Sequence, residues 1–358
     1  MIVSEKNPTS KMTRLEICWE VFLFAVLFLS LAFIGLKTEA ISETIFSNDD
    51  VSLATEPIRA RDRIYGVALV PLPVGDTFFM AGSRGKIWKT ANLGQSFEVL
   101  ETPTSKHLQD IAFWDEKRAV AVGDEGVALI TDDGGTSWNI VKDIPKSDVD
   151  NKLIKVTALD EGRAFAVGVM GAILYTEDYG KTWVKKKEEE DISYNDVLFL
   201  DENEGWVVGE FATILKTEDG GDTWIKQDVE EGEDRGKQLV ETDINIFAIA
   251  AKNDNFLLAA GTEGTILTTK NGGKFWQRKT IDTSQHLLAL LHDDSKYVGV
   301  GNNGIVFTKK GDADCSANRL AENELAWHTD LIKLDENQYI IVGQTSGIWN
   351  GRDWKHFN

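Results

Sequence analysis

From about residue 62 onward, short apolar runs alternate with turn residues. Runs of four to seven apolar, β-branched or aromatic positions are broken by Gly, Asp and Asn, and no stretch between them carries a helical period. One group reads Leu108–Trp114, Arg118–Gly123, Gly126–Thr131 and Ser137–Lys142. It predicts four short strands joined by hairpins, with glycine supplying the positive φ that tight hairpin loops need. The group is repeated. A Gly-x-x-Gly signal followed by an apolar pair occurs at Gly82, Gly123, Gly168, Gly209, Gly261 and Gly301, and more loosely at Gly343. The intervals are 41, 45, 41, 52, 40 and 42 residues. Seven four-stranded units at this period predict an all-β chain, a seven-bladed β-propeller over residues 62–358. Extra loop is expected at 143–152, at Glu230–Asp243 and at Asp312–Leu325, the last of which interrupts the sixth unit.

The first sixty residues follow a different pattern. Val21–Leu36 is apolar apart from Ser30 and Gly35, and Ile17–Trp19 extends it. Lys6, Lys11 and Arg14 precede the run, and Glu39, Glu43, Asp49 and Asp50 follow it. The distribution predicts a cytoplasmic tail at 1–16, a transmembrane anchor or signal segment at 17–36, a linker at 37–61 and an exported body. At this length an uncleaved anchor is favoured over a cleaved signal, although Thr38-Glu39-Ala40 is a passable cleavage site. The expected location is the inner membrane, single-pass, with the propeller in the periplasm.

Charge narrows the function classes. The chain has a net charge of −20, and residues 1–40 contribute none of it. So acidic a body repels phosphate backbones, which excludes general nucleic-acid binding. Two cysteines, one of them beside the apolar run, and five scattered histidines offer no soft-ligand metal site, and no cofactor motif is present. Asp201-Glu202-Asn203-Glu204-Gly205 lacks the spacing of a calcium loop.

A second motif sits between the third and fourth strand of the first five units, and the sixth and seventh have lost most of it. It reads Thr131-Asp132-Asp133-Gly134-Gly135-Thr136-Ser137-Trp138 in the second unit. The third and fourth units carry it at Asp178, Gly180 and Trp183 and at Asp219, Gly221 and Trp224. The first and fifth substitute Asn92 and Asn271, the latter with Gly273 and Trp276. This is the Asp-box of bacterial neuraminidase repeats. Its carboxylate or amide is expected to accept turn N–H groups, and its tryptophan to pack in the core. Spaced one per blade, these acids stand around a rim and do not converge, which makes them structural.

The Asp-box together with Gly-x-x-Gly, on an exported seven-unit domain, resembles the photosystem II stability/assembly factor family over residues 62–358. The resemblance implies a single propeller without catalysis that assists a membrane protein complex. For photosynthetic members that complex is a reaction centre. For non-photosynthetic relatives it implies a link to exporters of the resistance-nodulation-division type. The photosynthetic members look like they use an arginine-lined face. Here only Arg84 fits that pattern, and the matching loops carry Asp124, Glu125, Glu210 and Glu263, which points to a non-photosynthetic bacterial relative.

The Gly-x-x-Gly loops and the inter-blade loops share one face of such a propeller, so the expected partner-binding set is Arg84, Asp124, Glu125, Met170, Glu210, Phe211, Glu263 and Asn302. The rival classes are an exported glycan-binding module and a sialidase-like glycosidase. The latter needs converging carboxylates and an arginine clamp, and Arg63-Ile64-Tyr65 lacks the sialidase proline.

Overall fold

The computed structural model describes residues 58–71, 76–230, 244–311 and 315–357, all within one compact unit, Leu53–Asn358. The expected membrane segment at 17–36 lies outside the described residues. Among the described residues no helix is long and apolar enough to cross a membrane.

Seven antiparallel sheets form, each from strands consecutive in sequence. Blade 2 is representative: Leu108–Phe113, Ala119–Gly123, Ala128–Thr131 and Asn139–Ile140 pair in that order. The first strands of blades 1 to 7 are Ile64–Leu69, Leu108–Phe113, Leu153–Ala158, Tyr194–Phe199, Ile246–Ala251, Leu287–His292 and His328–Asp335. Each packs against the next, and that of blade 7 against that of blade 1, so the seven close a ring around an axis. The architecture is the expected all-β seven-bladed propeller.

The second strands explain the densest apolar runs. Phe78–Gly82, Ala119–Gly123, Ala164–Gly168, Gly205–Gly209 and Leu257–Gly261 are buried at every residue. They lie mid-sheet with a neighbouring blade on each face, where alternation has no solvent side to serve. The first glycine of each Gly-x-x-Gly ends such a strand and is required for a reason other than turn geometry. Its backbone is extended, at φ −174° for Gly123, and a side chain is excluded by crowding. A Cβ at Gly301 would stand 1.9 Å from the His286 carbonyl oxygen. The expected positive φ is carried by the second glycine, where Glu125 (59°) and Gly126 (68°) turn the chain through one 3-10 step.

Two expectations are corrected. The stretch 312–325, read as an insertion, contains Ser316–Arg319, the outer strand of blade 6. Blade 5 has five strands, because Val229–Glu230 crosses over to run parallel to its outer strand Trp276–Thr280.

The Asp-boxes close the other ends of the blades. In blade 3, Asp178 accepts N–H from Thr182 (2.9 Å) and hydroxyls from Thr176 and Thr182 (2.9 and 2.7 Å), while Gly180 N–H donates to the Thr176 hydroxyl (3.0 Å). Asp133, Asp219, Asn92 and Asn271 repeat the scheme. Burial works to raise the Asp178 carboxyl, but these bonds together outweigh it and hold the group below the usual carboxylate range. The box glycine abuts the preceding blade: Gly135 faces Phe79, Gly221 faces Phe165 and Gly94 faces Phe357. The motif thus caps a hairpin and also joins two blades. Trp138, Trp183 and Trp276 are buried as expected. Trp224 is only half-buried, packed edge-on against Phe165 and Phe199.

Candidate binding face and axial cavity

The Gly-x-x-Gly loops lie on the face where the first strands begin. There each loop tip meets the linker leading into the next blade. Arg84 N–H donates to His107 Nδ1 (3.2 Å), Asp124 accepts from Gln109 (2.9 Å), and Glu263 N–H donates to His286 Nδ1 (3.0 Å). The candidate residues are therefore spread around the ring, and several are engaged within the fold. Arg84 reaches Asp62 (3.1 Å), Glu125 pairs with Lys106, and Asp124 lies 3.9 Å from Lys152. Glu210 accepts the Ser193 N–H (2.8 Å). Asn302 donates its N–H to the His286 carbonyl (3.1 Å). Met170 is half-buried, whereas Phe211 is exposed at the tip of its loop.

Phe211 (φ 55°) takes the left-handed turn that Arg84, Glu125, Met170, Glu263 and Asn303 take in their own blades, and Ala212 (52°) takes it where those blades have glycine. Holding L-residues there costs roughly 1–2 kcal/mol each. What sets blade 4 apart is the exposed aromatic side chain of Phe211 at a loop tip where the other blades carry charged or polar residues or the half-buried Met170.

The residues that sequence reasoning missed lie on the axis. Every first strand carries a β-bulge at its second residue: Tyr65, Gln109, Ile154, Asn195, Phe247, Leu288 and Thr329. A bulge re-aims the side chains around it, and all seven of these residues line the mouth of an axial cavity of about 390 Å³. The mouth combines two aromatic and two aliphatic side chains, Tyr65, Phe247, Ile154 and Leu288, with the polar Gln109, Asn195 and Thr329. Tyr65 stacks flat on Trp327 (5.9 Å, 4° between planes) and receives the edge of His107, and Phe247 packs beside His286.

One residue deeper the walls turn charged, with Asp110, Lys155, Asp196 and Asp330 on blades 2, 3, 4 and 7. Each aspartate grips the backbone of the following blade. Asp110 accepts the Val156 N–H, Asp196 the Ile249 N–H and Asp330 the Val67 N–H, each at 2.9 Å. Lys155 spans the cavity between Asp110 (3.4 Å) and Asp330 (3.3 Å). Burial pushes Asp110 up to about 7, with Lys155 opposing and Asp330 reinforcing the shift. Burial also raises Asp196 to about 6 against the pull of Lys155. Lys155 is held above its ordinary value by the three carboxylates, although burial works the other way. Among the described residues, no three His, Cys, Asp or Glu side chains stand close enough to hold a metal ion. The only sequence signal for this site was a charged third residue in four of the seven first strands.

The family profile described as photosynthesis system II assembly factor YCF48 matches residues 89–192 and 184–284, together more than half of the chain. The chain belongs to that family. YCF48 from Cyanidioschyzon merolae superposes with a TM-score of 0.63 at 17% identity, covering 80% of this chain and 94% of its own. A structure of YCF48 bound to a D1 peptide gives 0.64 at 18%, covering 81% and 93%. The WD40 repeats of RRP9 give 0.63 at 10%, covering 85% and 97%. At these identities the likenesses establish the fold. No curated protein matches by sequence. Unlike the arginine-lined face that the resemblance implied for photosynthetic YCF48 chains, the axial mouth of this member has no arginine and one lysine.

Proposed function

We propose that this protein is an extracytoplasmic, membrane-anchored member of the YCF48 family. It binds a polypeptide of a membrane complex on the loop face, as an assembly or accessory factor and without catalysis. The observation that carries this reading is the axial mouth, seven bulged residues on a closed ring that mix aromatic and aliphatic side chains (Tyr65, Phe247, Ile154, Leu288) with amides and a hydroxyl (Gln109, Asn195, Thr329). Aromatic side chains at concave sites are the usual anchors of protein partners. Phe211 extends the same face. Family membership supports it, as does the peptide bound by a relative. The client on this reading is a membrane protein, either a photosystem subunit or an exporter of the resistance-nodulation-division type.

The glycosidase reading is weaker. Asp110 and Asp196 have raised pKa values in a cavity, but their oxygens are bound by backbone N–H groups and Lys155, and no arginine lines the walls to clamp a sugar acid. The test is a photo-cross-linking residue at Phe211 in intact membranes, with Thr136, on the opposite face, as the control position. Capture of one membrane-complex subunit from Phe211 alone is expected. Equal capture from both positions, or none from Phe211, overturns the assignment.

A further inference from the structure

We infer that the axial mouth receives an arginine side chain from an extended segment of the client, its stem between the rim aromatics and its guanidinium over the carboxylates below. The inference rests on the assignment of the loop face as the client-binding face, and deepens it by naming the chemistry recognised.

Rim and floor independently select a cation. At the rim, Tyr65 and Phe247 present half-buried rings to the cavity, with Trp327 stacked on Tyr65, and aromatic faces attract cations, guanidinium above all. On the floor, three aspartates face one lysine, a surplus of two negative charges when all are ionised. Lys155 spends its charge on Asp110 and Asp330. Asp196 accepts two backbone N–H groups, from Val197 (2.8 Å) and Ile249 (2.9 Å), and among the described residues no cationic group lies within 4.0 Å of it. Burial raises the pKa of Asp196, and the more distant Lys155 offsets that only in part. The outer acids contrast with it, since Glu125 and Asp124 meet Lys106 and Lys152 within the fold.

Size and geometry favour a delocalised organic cation over an ion. The cavity of about 390 Å³ is far larger than a metal ion requires, and its acids do not gather into a chelating group. A planar, weakly hydrated guanidinium on a long apolar stem matches a rim of Tyr65, Phe247, Ile154 and Leu288 interleaved with neutral polar side chains, over a carboxylate floor.

The experiment titrates the full-length protein with a blocked pentapeptide carrying one central arginine flanked by glycine and serine. Binding is followed by saturation-transfer NMR. The comparison peptide replaces arginine with citrulline, which keeps the shape and removes the charge. The arginine peptide is expected to bind at least tenfold more tightly, with that preference lost in Asp196→Asn and binding weakened in Phe247→Ala. Equal affinity for the two peptides, binding of neither, or a preference untouched by Asp196→Asn overturns the inference. The citrulline comparison uses unaltered protein, so it stands even if a variant fails to fold. Should the arginine peptide fail while Phe211 still captures a client, the charge preference falls and the face assignment stands.

Discussion

The two adjacent glycines of the second Asp-box separate two demands that the motif makes. Gly134 (φ 70°) and Gly135 (φ 81°) are both left-handed, so alanine at either costs roughly 1–2 kcal/mol in backbone strain. Their surroundings differ. A Cβ on Gly134 would meet only the Glu116 carbonyl oxygen at 3.2 Å. One on Gly135 would lie 2.5 and 2.9 Å from two ring carbons of Phe79. Phe79 is 1% exposed and packed on Phe113 at 4.9 Å, so it has little room to retreat. Overpacking of this kind adds roughly 1–3 kcal/mol. Gly134→Ala should therefore destabilise by about 1–2 kcal/mol and Gly135→Ala by about 2–5 kcal/mol. Urea unfolding read by tryptophan fluorescence measures both, since Trp138 sits in the same turn. Phe79→Leu in the Gly135→Ala background should narrow the gap, as contacting residues couple. Equal losses at the two positions would refute the reasoning and reduce the box to a turn with no role between blades.

Three further outcomes are expected. Asp196 binds its proton more tightly folded, at about 6, than unfolded, so the native state holds more protons between pH 4 and 7 and its contribution to stability falls as pH rises through that window. His328, lowered by burial to about 4, works in the opposite direction, losing stability as pH drops below about 6.5. The clean measurement is therefore the difference in urea midpoint between wild type and Asp196→Asn, which should shift in favour of the variant from pH 5 to pH 8. Asp178→Asn should be tolerated, because Asn92 and Asn271 accept the same turn N–H in their own blades, whereas Asp178→Ala should cost about 1–2 kcal/mol in the same assay. Phe357→Ala should loosen the seam between blades 7 and 1 by about 2 kcal/mol, since its ring lies 6.0 Å from Phe78 and 5.0 Å from Phe97. Faster amide exchange across Phe78–Gly82 would report it, and unchanged exchange would contradict it.

Propeller, blade count and Asp-box positions were legible because they repeat. A period near forty with Gly123-Asp124-Glu125-Gly126 in register with Gly301-Asn302-Asn303-Gly304 leaves little freedom of architecture. What the glycines do was less legible. Sequence associates glycine with positive φ, yet Gly301 is required by the His286 carbonyl, a contact across two strands that no local pattern announces. The outer strand Ser316–Arg319 was hidden because it carries one apolar residue and lies at an exposed edge. The axial cavity was missed for a related reason. Asp110, Asp196 and Asp330 are separated by 86 and 134 residues, and only ring closure makes them neighbours. A column-by-column comparison of the first strands would have set all three, with Lys155, at the same position. The loop acids stood out by exposure and charge, but Glu125 and Glu210 proved to be occupied with partners of their own.

The carboxylate grips on the axis are unevenly spaced, and that spacing divides the ring. They fasten blade 2 to 3, blade 4 to 5 and blade 7 to 1 through the amides of Val156, Ile249 and Val67. The seams between them rely on side-chain packing and on bonds nearer the rim, such as the Tyr297 hydroxyl on the Phe256 carbonyl at 3.1 Å. A ring built this way has fault lines. When it opens partially, it parts first at the ungripped seams and releases pairs of blades, with blade 6 on its own, while the amides of Val67, Val156 and Ile249 are the last on the axis to exchange with water.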